Sequence, residues 1–253
     1  MELFEGGEGR AFYQRVAEQT AQRRPGLEVV LTCDPAVSDK VRMRVLEGDF
    51  PEVTNANVDI WTLIEHGYVE PLDRYLDQPV SPDSRLTWRE SFLPGALSSF
   101  QSGSETFGVP LVYVVWSVYY NKELFEENGW TVPQTWPEFF DLCAKIKKTG
   151  TAPIAFQGRY PFYARALVEH TFYHQAGADA YSRLQQGVPE AFRSKETAAS
   201  LDVLRRLAKE AFQPGFRGMS HTEAQLEFFQ GRAAMLFCGS WLYSEMQDNI
   251  PDG

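Results

Sequence analysis

The stretch that decides the fold is Phe229-Gln-Gly-Arg-Ala-Ala-Met-Leu-Phe-Cys-Gly-Ser-Trp-Leu-Tyr-Ser-Glu-Met246. Ala233 to Phe237 is an apolar run without polar alternation, which predicts a strand buried on both faces of a mostly parallel sheet. Gly239 is expected to let the backbone turn sharply, and Ser240 to cap a helix beginning near Trp241. The product is a strand, a tight turn and a helix N-terminus with an indole at its mouth. Open α/β sheets bind ligands just outside the carboxyl ends of their strands. An indole there offers a flat face to a flat apolar surface, such as the C–H face of a sugar ring. A core tryptophan opening an ordinary helix would show the same pattern, so the stretch alone leaves both readings open.

Working outward, 253 residues suffice for one large domain or two smaller lobes. The net charge of -10 argues against nucleic acid, whose binders carry basic patches. The longest apolar stretch, Val109 to Tyr120, is too short to span a bilayer as a helix. Cys33, Cys143 and Cys238 form no CxxC pair and the histidines show no ligand spacing, so neither a metal nor any other cofactor is expected. Cys143 falls on the apolar face of a predicted helix and reads as a small buried hydrophobe. No leader peptide is visible at the start. Glu2 to Gly9 resembles the end of a first strand, and Asp248 to Gly253 resembles a loop, so both ends look cut.

Strand and helix signals alternate along the chain, as in layered α/β lobes. Helices are predicted from residue 10 to 24, from Ser38 as N-cap to Gly48, and over Ile60, Leu63 and Ile64. Strands are predicted at Leu27 to Thr32 and, shorter, at Phe50 to Val53. Thr87-x-x-Glu90 and Ser220-x-x-Glu223 are capping boxes, and Thr135-Trp-Pro-Glu138 combines a cap, a first-turn proline and a glutamate. Phe100 to Phe107 reads as a hairpin turning at Gly103. The aromatic run Gly108 to Phe125 is long enough to pass between lobes. A strand at Ala152 to Phe156 precedes a helix from Pro161 to Gln175. A further helix opens at Ser194, with Leu201, Leu204 and Leu207 inward.

Two stretches could share a cleft with Gly239, Ser240 and Trp241. The first carries Tyr113, Trp116, Tyr119 and Tyr120. Strand alternation puts Tyr113 and Tyr119 on one face and Trp116 and Tyr120 on the other, so at most half of them face a ligand. The second is Gln157-Gly-Arg-Tyr-Pro-Phe-Tyr-Ala-Arg165, directly after a strand. Gln157 and Arg159 are donors for hydroxyl or carbonyl oxygens, whereas Arg165 reads better as an ion-pair member. For Tyr160 and Tyr163, core packing and ligand contact are balanced readings. Asn55, Asn57 and Asp59 carry groups suited to a sugar, although turn chemistry explains them as well. The loop Gly6 to Gly9 lacks the spacing of a phosphate loop. No GxSxG or HExxH motif occurs, and no carboxylate pair is marked out for hydrolysis.

With these residues in hand, the chain resembles the extracellular solute-binding proteins of carbohydrate ABC importers. The general pattern is carried by Val109-Pro110, Tyr119-Tyr-Asn-Lys-Glu-Leu-Phe125, Pro133-Gln-Thr-Trp-Pro-Glu-Phe139, Gly231-Arg-Ala-Ala-Met235 and Gly239-Ser-Trp241. Phe125-Glu-Glu-Asn-Gly-Trp130, Gly158-Arg-Tyr-Pro-Phe-Tyr163, His221-Thr-Glu-Ala-Gln225 and Cys238-Gly-Ser-Trp-Leu242 are most similar to the N-acetylglucosamine/diacetylchitobiose-binding subgroup.

The resemblance implies an α/β, two-lobe, type II periplasmic-binding-protein-like fold. Its lobes are expected at residues 1–111 and 112–253, closing on an amino sugar or short oligosaccharide in an interlobe cleft. It places Trp241, Tyr160 and Tyr163 at or near that cleft, with Tyr113 and Trp116 alongside. It implies a non-enzymatic protein that partners a membrane permease, acts as a monomer, and is secreted or lipid-anchored at the cell surface. A chain with no leader would stay in the cytoplasm. Members continue past this chain's end, so an incomplete fold, truncated at both ends, is expected, with exposed apolar surface. The rival expectations are a carbohydrate hydrolase using two carboxylates and a remnant without ligand.

Overall fold

The computed structural model describes residues 2–3, 9–34, 36–56 and 58–247, with the side chains of residues 2, 3 and 9 left aside. The chain divides into two compact units, Met1–Tyr113 and Val114–Gly253.

In the first unit, β1 (Glu2–Leu3) leads to α1 (Gly9–Arg23) and then to β2 (Thr32–Cys33). The two strands run parallel, with Glu2 opposite Thr32. Tyr13 and Ala17 form the buried face of α1, and Phe12, Val16 and Thr20 flank it half-buried. The strand expected over Leu27 to Thr32 is corrected to Thr32–Cys33. The ladder with Glu2–Leu3 covers only Thr32 and Cys33, and Leu27 and Val30 are exposed.

Next comes α2 (Val37–Glu47), which buries Val37 and Val41 and ends at Gly48 in the left-handed conformation, φ 75°. Ser38 is not its cap. Asp34 Oδ1 accepts the Ala36 N–H at 2.7 Å, so the turn closes earlier and Ser38 already lies inside the helix. Phe50 to Val53 forms no strand. Then follow α3 (Ile60–Glu65), α4 (Asp73–Leu76), α5 (Trp88–Ser91) and the hairpin β3 (Gln101–Ser102) to β4 (Glu105–Thr106). The hairpin turns through Gly103, φ 61°, as expected. Ion pairs tie these short pieces together. Arg89 reaches Asp73 and Asp77 at 2.7 Å each, and Asp73 accepts the Thr106 N–H at 2.9 Å.

The second unit opens with β5 (Trp116–Tyr120), α6 (Lys122–Asn128), α7 (Trp136–Lys148) and β6 (Ala152–Ala155). It continues through α8 (Pro161–Gln185), α9 (Pro189–Phe192), α10 (Lys195–Glu210) and α11 (His221–Phe229) to β7 (Ala233–Gly239) and α12 (Leu242–Met246). The caps expected at Thr135 and Ser194 accept the N–H groups of Glu138 and Thr197, and Ser220 with Glu223 forms the full capping box. Gly177, φ 81°, breaks α8 near the end expected for it. Leu201 is corrected to the outside of α10. The buried face instead runs through Ser200 and Leu207, with Val203 and Leu204 half-buried.

The sheet order is β5-β7-β6, so β7 is central, and every residue from Ala233 to Gly239 is buried. The expectation of a mostly parallel sheet is corrected: β6 is parallel to β7, but β5 is antiparallel, pairing Trp116 with Gly239 and Tyr120 with Met235. An antiparallel edge strand on an otherwise parallel sheet is a common arrangement in α/β proteins. The ladder starts at Trp116, so the alternation expected from Tyr113 does not hold, and Val109 to Val115 carries no regular structure. Helix α7 packs on β6, and α11 packs on both β6 and β7. This burial builds a core around Ile146, Ile154, Leu207, Ala224 and Met235.

Candidate ligand-binding site at the end of the central strand

The expected turn follows β7 at Ser240 and Trp241, but Gly239 enters it without a positive φ, so the conformational reason for the glycine is corrected. The glycine is required for space. A Cβ there would fall 2.0 Å from Cζ3 of Trp241 and 2.4 Å from its Cε3. The indole therefore lies across the bare backbone of the strand end. Ser240 is also corrected, because Trp241 occupies the N-cap position of α12 and no side chain caps that helix. The Ser240 hydroxyl instead accepts the Val115 N–H at 3.3 Å, joining the strand end to the segment before β5. Tyr119 adds a second tie, donating its hydroxyl proton to the Gly239 carbonyl at 3.3 Å.

The half-buried Trp241 meets Trp116 edge to face, with ring centroids 4.9 Å apart at 88°. Trp116 in turn meets Tyr163 edge to face at 5.1 Å and stacks on Phe237 at 5.0 Å and 21°. Trp241, Trp116 and Tyr163 thus form one aromatic cluster, with Phe162 on its outer side. Tyr163 is only 8% exposed, and Tyr160 is 41% exposed. Burial pushes the Tyr163 hydroxyl well above the ordinary tyrosine range, with Cys238 and Glu245 adding to it. Burial likewise pushes the Cys238 thiol up to about 11. The cluster is therefore neutral at physiological pH: an apolar platform with polar tips.

The loop after β6 is held from within. Gln157 is buried and spends its amide locally, accepting the Tyr160 N–H at 2.9 Å and donating to the Tyr160 carbonyl at 3.1 Å. Gln213 does the same for Phe156, accepting its N–H at 2.8 Å and donating to its carbonyl at 2.7 Å. The Gly158 N–H donates to the Phe216 carbonyl at 2.7 Å, and a Cβ on Gly158 would lie 2.7 Å from the Arg217 Cα. Arg159 projects from this clamped loop, exposed and with no side-chain ion pair among the described residues, while Arg165 is paired with Glu169 as expected. Tyr160 leans on His221, ring centroids 5.6 Å apart.

The structure thus brings Gly239, Ser240, Trp241, Trp116 and Tyr163 together, with Gln157, Arg159 and Tyr160 on the adjoining loop. Tyr113 and Asn55 belong to the first unit. Tyr113 is 77% exposed, and the Asn55 amide donates to the Tyr13 hydroxyl at 2.8 Å. Asp59 caps α3, which is the turn-type reading. Asn57 and the loop Gly6 to Glu8 lie outside the described residues. Sequence reasoning did not single out Glu245, whose carboxylate meets His221 Nε2 at 3.2 Å and Gln225 Nε2 at 2.7 Å. The available signal was the i, i+4 spacing of His221 and Gln225, which puts both on one face of α11. Cys143 is buried, and burial pushes its thiol up to about 12. Among the described residues no group of His, Cys, Asp or Glu is placed to hold a metal ion.

The chain as a whole has known relatives. The model of the bacterial extracellular solute-binding protein family matches residues 5–252, and the chain belongs to that family. It is 26% identical to the multiple sugar-binding protein of Streptococcus mutans, over 95% of this chain and 57% of that protein. It is 24% identical to the diacetylchitobiose binding protein NgcE of Streptomyces coelicolor, over 97% of this chain and 53% of that protein. The chain spans about half the length of these curated relatives. Among solved structures, a chitin oligosaccharide binding protein overlays with a TM-score of 0.73 at 24% identity, over 96% of this chain and 59% of that one. A solute-binding protein of Thermotoga lettingae bound with α-D-tagatose gives 0.72 at 21%, over 97% and 62%. The fold is accordingly of the type II periplasmic-binding class. No helix among the described residues is long and apolar enough to cross a membrane.

Proposed function

We propose that the chain is the sugar-binding component of an ABC importer, and that its ligand is an amino sugar or short oligosaccharide of the N-acetylglucosamine or chitobiose type. One observation carries this reading: Trp241 is held across Gly239 at the end of the central strand, edge-on to Trp116. Sugar rings present C–H faces to indoles, and their hydroxyls seek fixed donors at the rim. Tyr160 and Arg159, both exposed beside the platform, are suited to that rim. Tyr163 and Trp116 both meet the Trp241 ring edge to face. The names of the relatives, sugar-binding and diacetylchitobiose-binding among them, support the ligand class. In this reading the protein works outside the cell or at its surface, as a monomer delivering its ligand to a membrane permease.

The reading is also non-enzymatic. A glycosidase acid needs a carboxyl with a raised pKa. Burial pushes Glu245 up, but its hydrogen bonds to His221 and Gln225 outweigh that and hold it below the usual carboxylate range. The test is a thermal-shift titration with N-acetylglucosamine and diacetylchitobiose. A rise in Tm that saturates with sugar and disappears in Trp241→Ala is expected. No shift with either sugar, from a wild-type chain that melts cooperatively, would overturn the reading.

A further inference from the structure

Two sequence motifs, His221 to Gln225 and Cys238 to Leu242, meet in the structure through a residue that neither contains. Glu245 sits in the first turn of α12, and its N–H donates to the Trp241 carbonyl at 3.0 Å. Its carboxylate is gripped from α11 by two side chains one helical turn apart, His221 at 3.2 Å and Gln225 at 2.7 Å. Gln225 Nε2 also lies 3.7 Å from the Cys238 sulfur, on the strand that carries Gly239.

The short helix α12 has little else to fix its start. It spans Leu242–Met246, its N-cap residue is Trp241 itself, and no side chain among the described residues caps it. Leu242 and Met246 are buried and anchor one face, but apolar contacts do not set rotation finely. The charged hydrogen bonds do, because they are directional and strong. The Gln225 amide records the strength of that demand. Its oxygen is buried and has no hydrogen-bond partner among the described residues. Turning the amide over would place that oxygen against the Glu245 carboxylate, so the amide keeps its nitrogen on the carboxylate.

We infer that Glu245, held by His221 and Gln225, is a positioning residue for the Trp241 platform, fixing the indole against Trp116 and over Gly239. Its importance for sugar recognition rests on the function proposed above; its effect on the indole does not. The tryptophan pair supplies a readout that needs no ligand, since two indoles 4.9 Å apart couple and give an exciton signal in far-UV circular dichroism. Trp116→Phe, which removes one partner, defines the size of that signal.

The experiment compares the wild-type chain, Glu245→Gln, Gln225→Leu and Ser244→Ala by circular dichroism, thermal melting and calorimetric titration with diacetylchitobiose. Ser244 shares the helix, is exposed and donates its hydroxyl to the Trp241 carbonyl, so Ser244→Ala controls for general loosening of α12. The expected result is an exciton signal reduced by half or more in Glu245→Gln and Gln225→Leu, intact in Ser244→Ala, with cooperative melting in all. Sugar affinity should fall about tenfold in the first two variants. An unchanged exciton signal in both, with only a lower Tm, would overturn the inference. A lost exciton signal in a chain whose wild type binds no sugar would uphold the positioning role and reject the proposed function instead.

Discussion

The indole of Trp241 lies so closely across Gly239 that a methyl group on the glycine would fall 2.0 Å from ring carbon Cζ3. The two residues are therefore one feature: the bare strand end is the seat of the ring. Gly239→Ala must displace the indole, because the strand is fixed by its ladder to Trp116 on one side and by β6 on the other. We expect Gly239→Ala to lose the exciton signal of Trp116 and Trp241 and about 1–3 kcal/mol of stability, the range for forcing a methyl into a packed site. Circular dichroism with urea melts checks both.

Gly158 meets a different obstacle. Its Cβ would lie 2.7 Å from a backbone carbon of Arg217 and 2.9 Å from the Phe216 carbonyl oxygen, and neither can swing aside like a side chain. Gly158→Ala should destabilise the unit by about 1–3 kcal/mol in urea melts and break the hydrogen bond from Gly158 to Phe216. Hydrogen exchange at the Gly158 amide reads the second effect directly.

Gln213 is buried, and its amide satisfies both the N–H and the carbonyl of Phe156. Gln213→Leu keeps the bulk but orphans two buried backbone groups, at roughly 1–3 kcal/mol each. A loss of several kcal/mol is expected, read as a lower denaturant midpoint at unchanged slope. Gln213→Glu, which can still accept from the Phe156 N–H, should lose less at low pH than at neutral pH.

The Glu245 carboxyl is held below its ordinary value of 4.5, its hydrogen bonds to His221 and Gln225 overcoming the opposing effect of burial. A group whose pKa is lowered by folding adds stability that is present above the unfolded value and lost as pH falls through the folded one. The Tm advantage of the wild-type chain over Glu245→Gln should therefore be present above about pH 4.5 and shrink as pH drops below it. A difference that is constant across that window would contradict the assignment.

The parts of this fold that sequence alone makes legible are local ones. Thr135 and Ser220 cap because a hydroxyl at that position meets an N–H three residues on, and nothing distant intervenes. Ala233 to Phe237 reads as a buried strand because its period says so. What escapes the sequence is decided by partners far along the chain. Gly239 looks like a turn glycine, yet its job depends on where the Trp241 ring lands. Gln157 looks like a ligand donor, yet its amide is consumed by the backbone of Tyr160. Leu27 to Thr32 has strand composition but only a two-residue partner. Glu245 carries no motif, and its partners lie 20 and 24 residues earlier, on a helix whose packing onto β7 brings them close.

The most direct test of the central claim is isothermal titration of diacetylchitobiose into the wild-type chain and Trp241→Ala side by side. We predict saturable binding to the wild type at one site and a loss of at least tenfold in affinity in the variant, about 1.4 kcal/mol. Equal affinity in the two proteins would mean that the sugar is held elsewhere and that the platform over Gly239 is only part of the core.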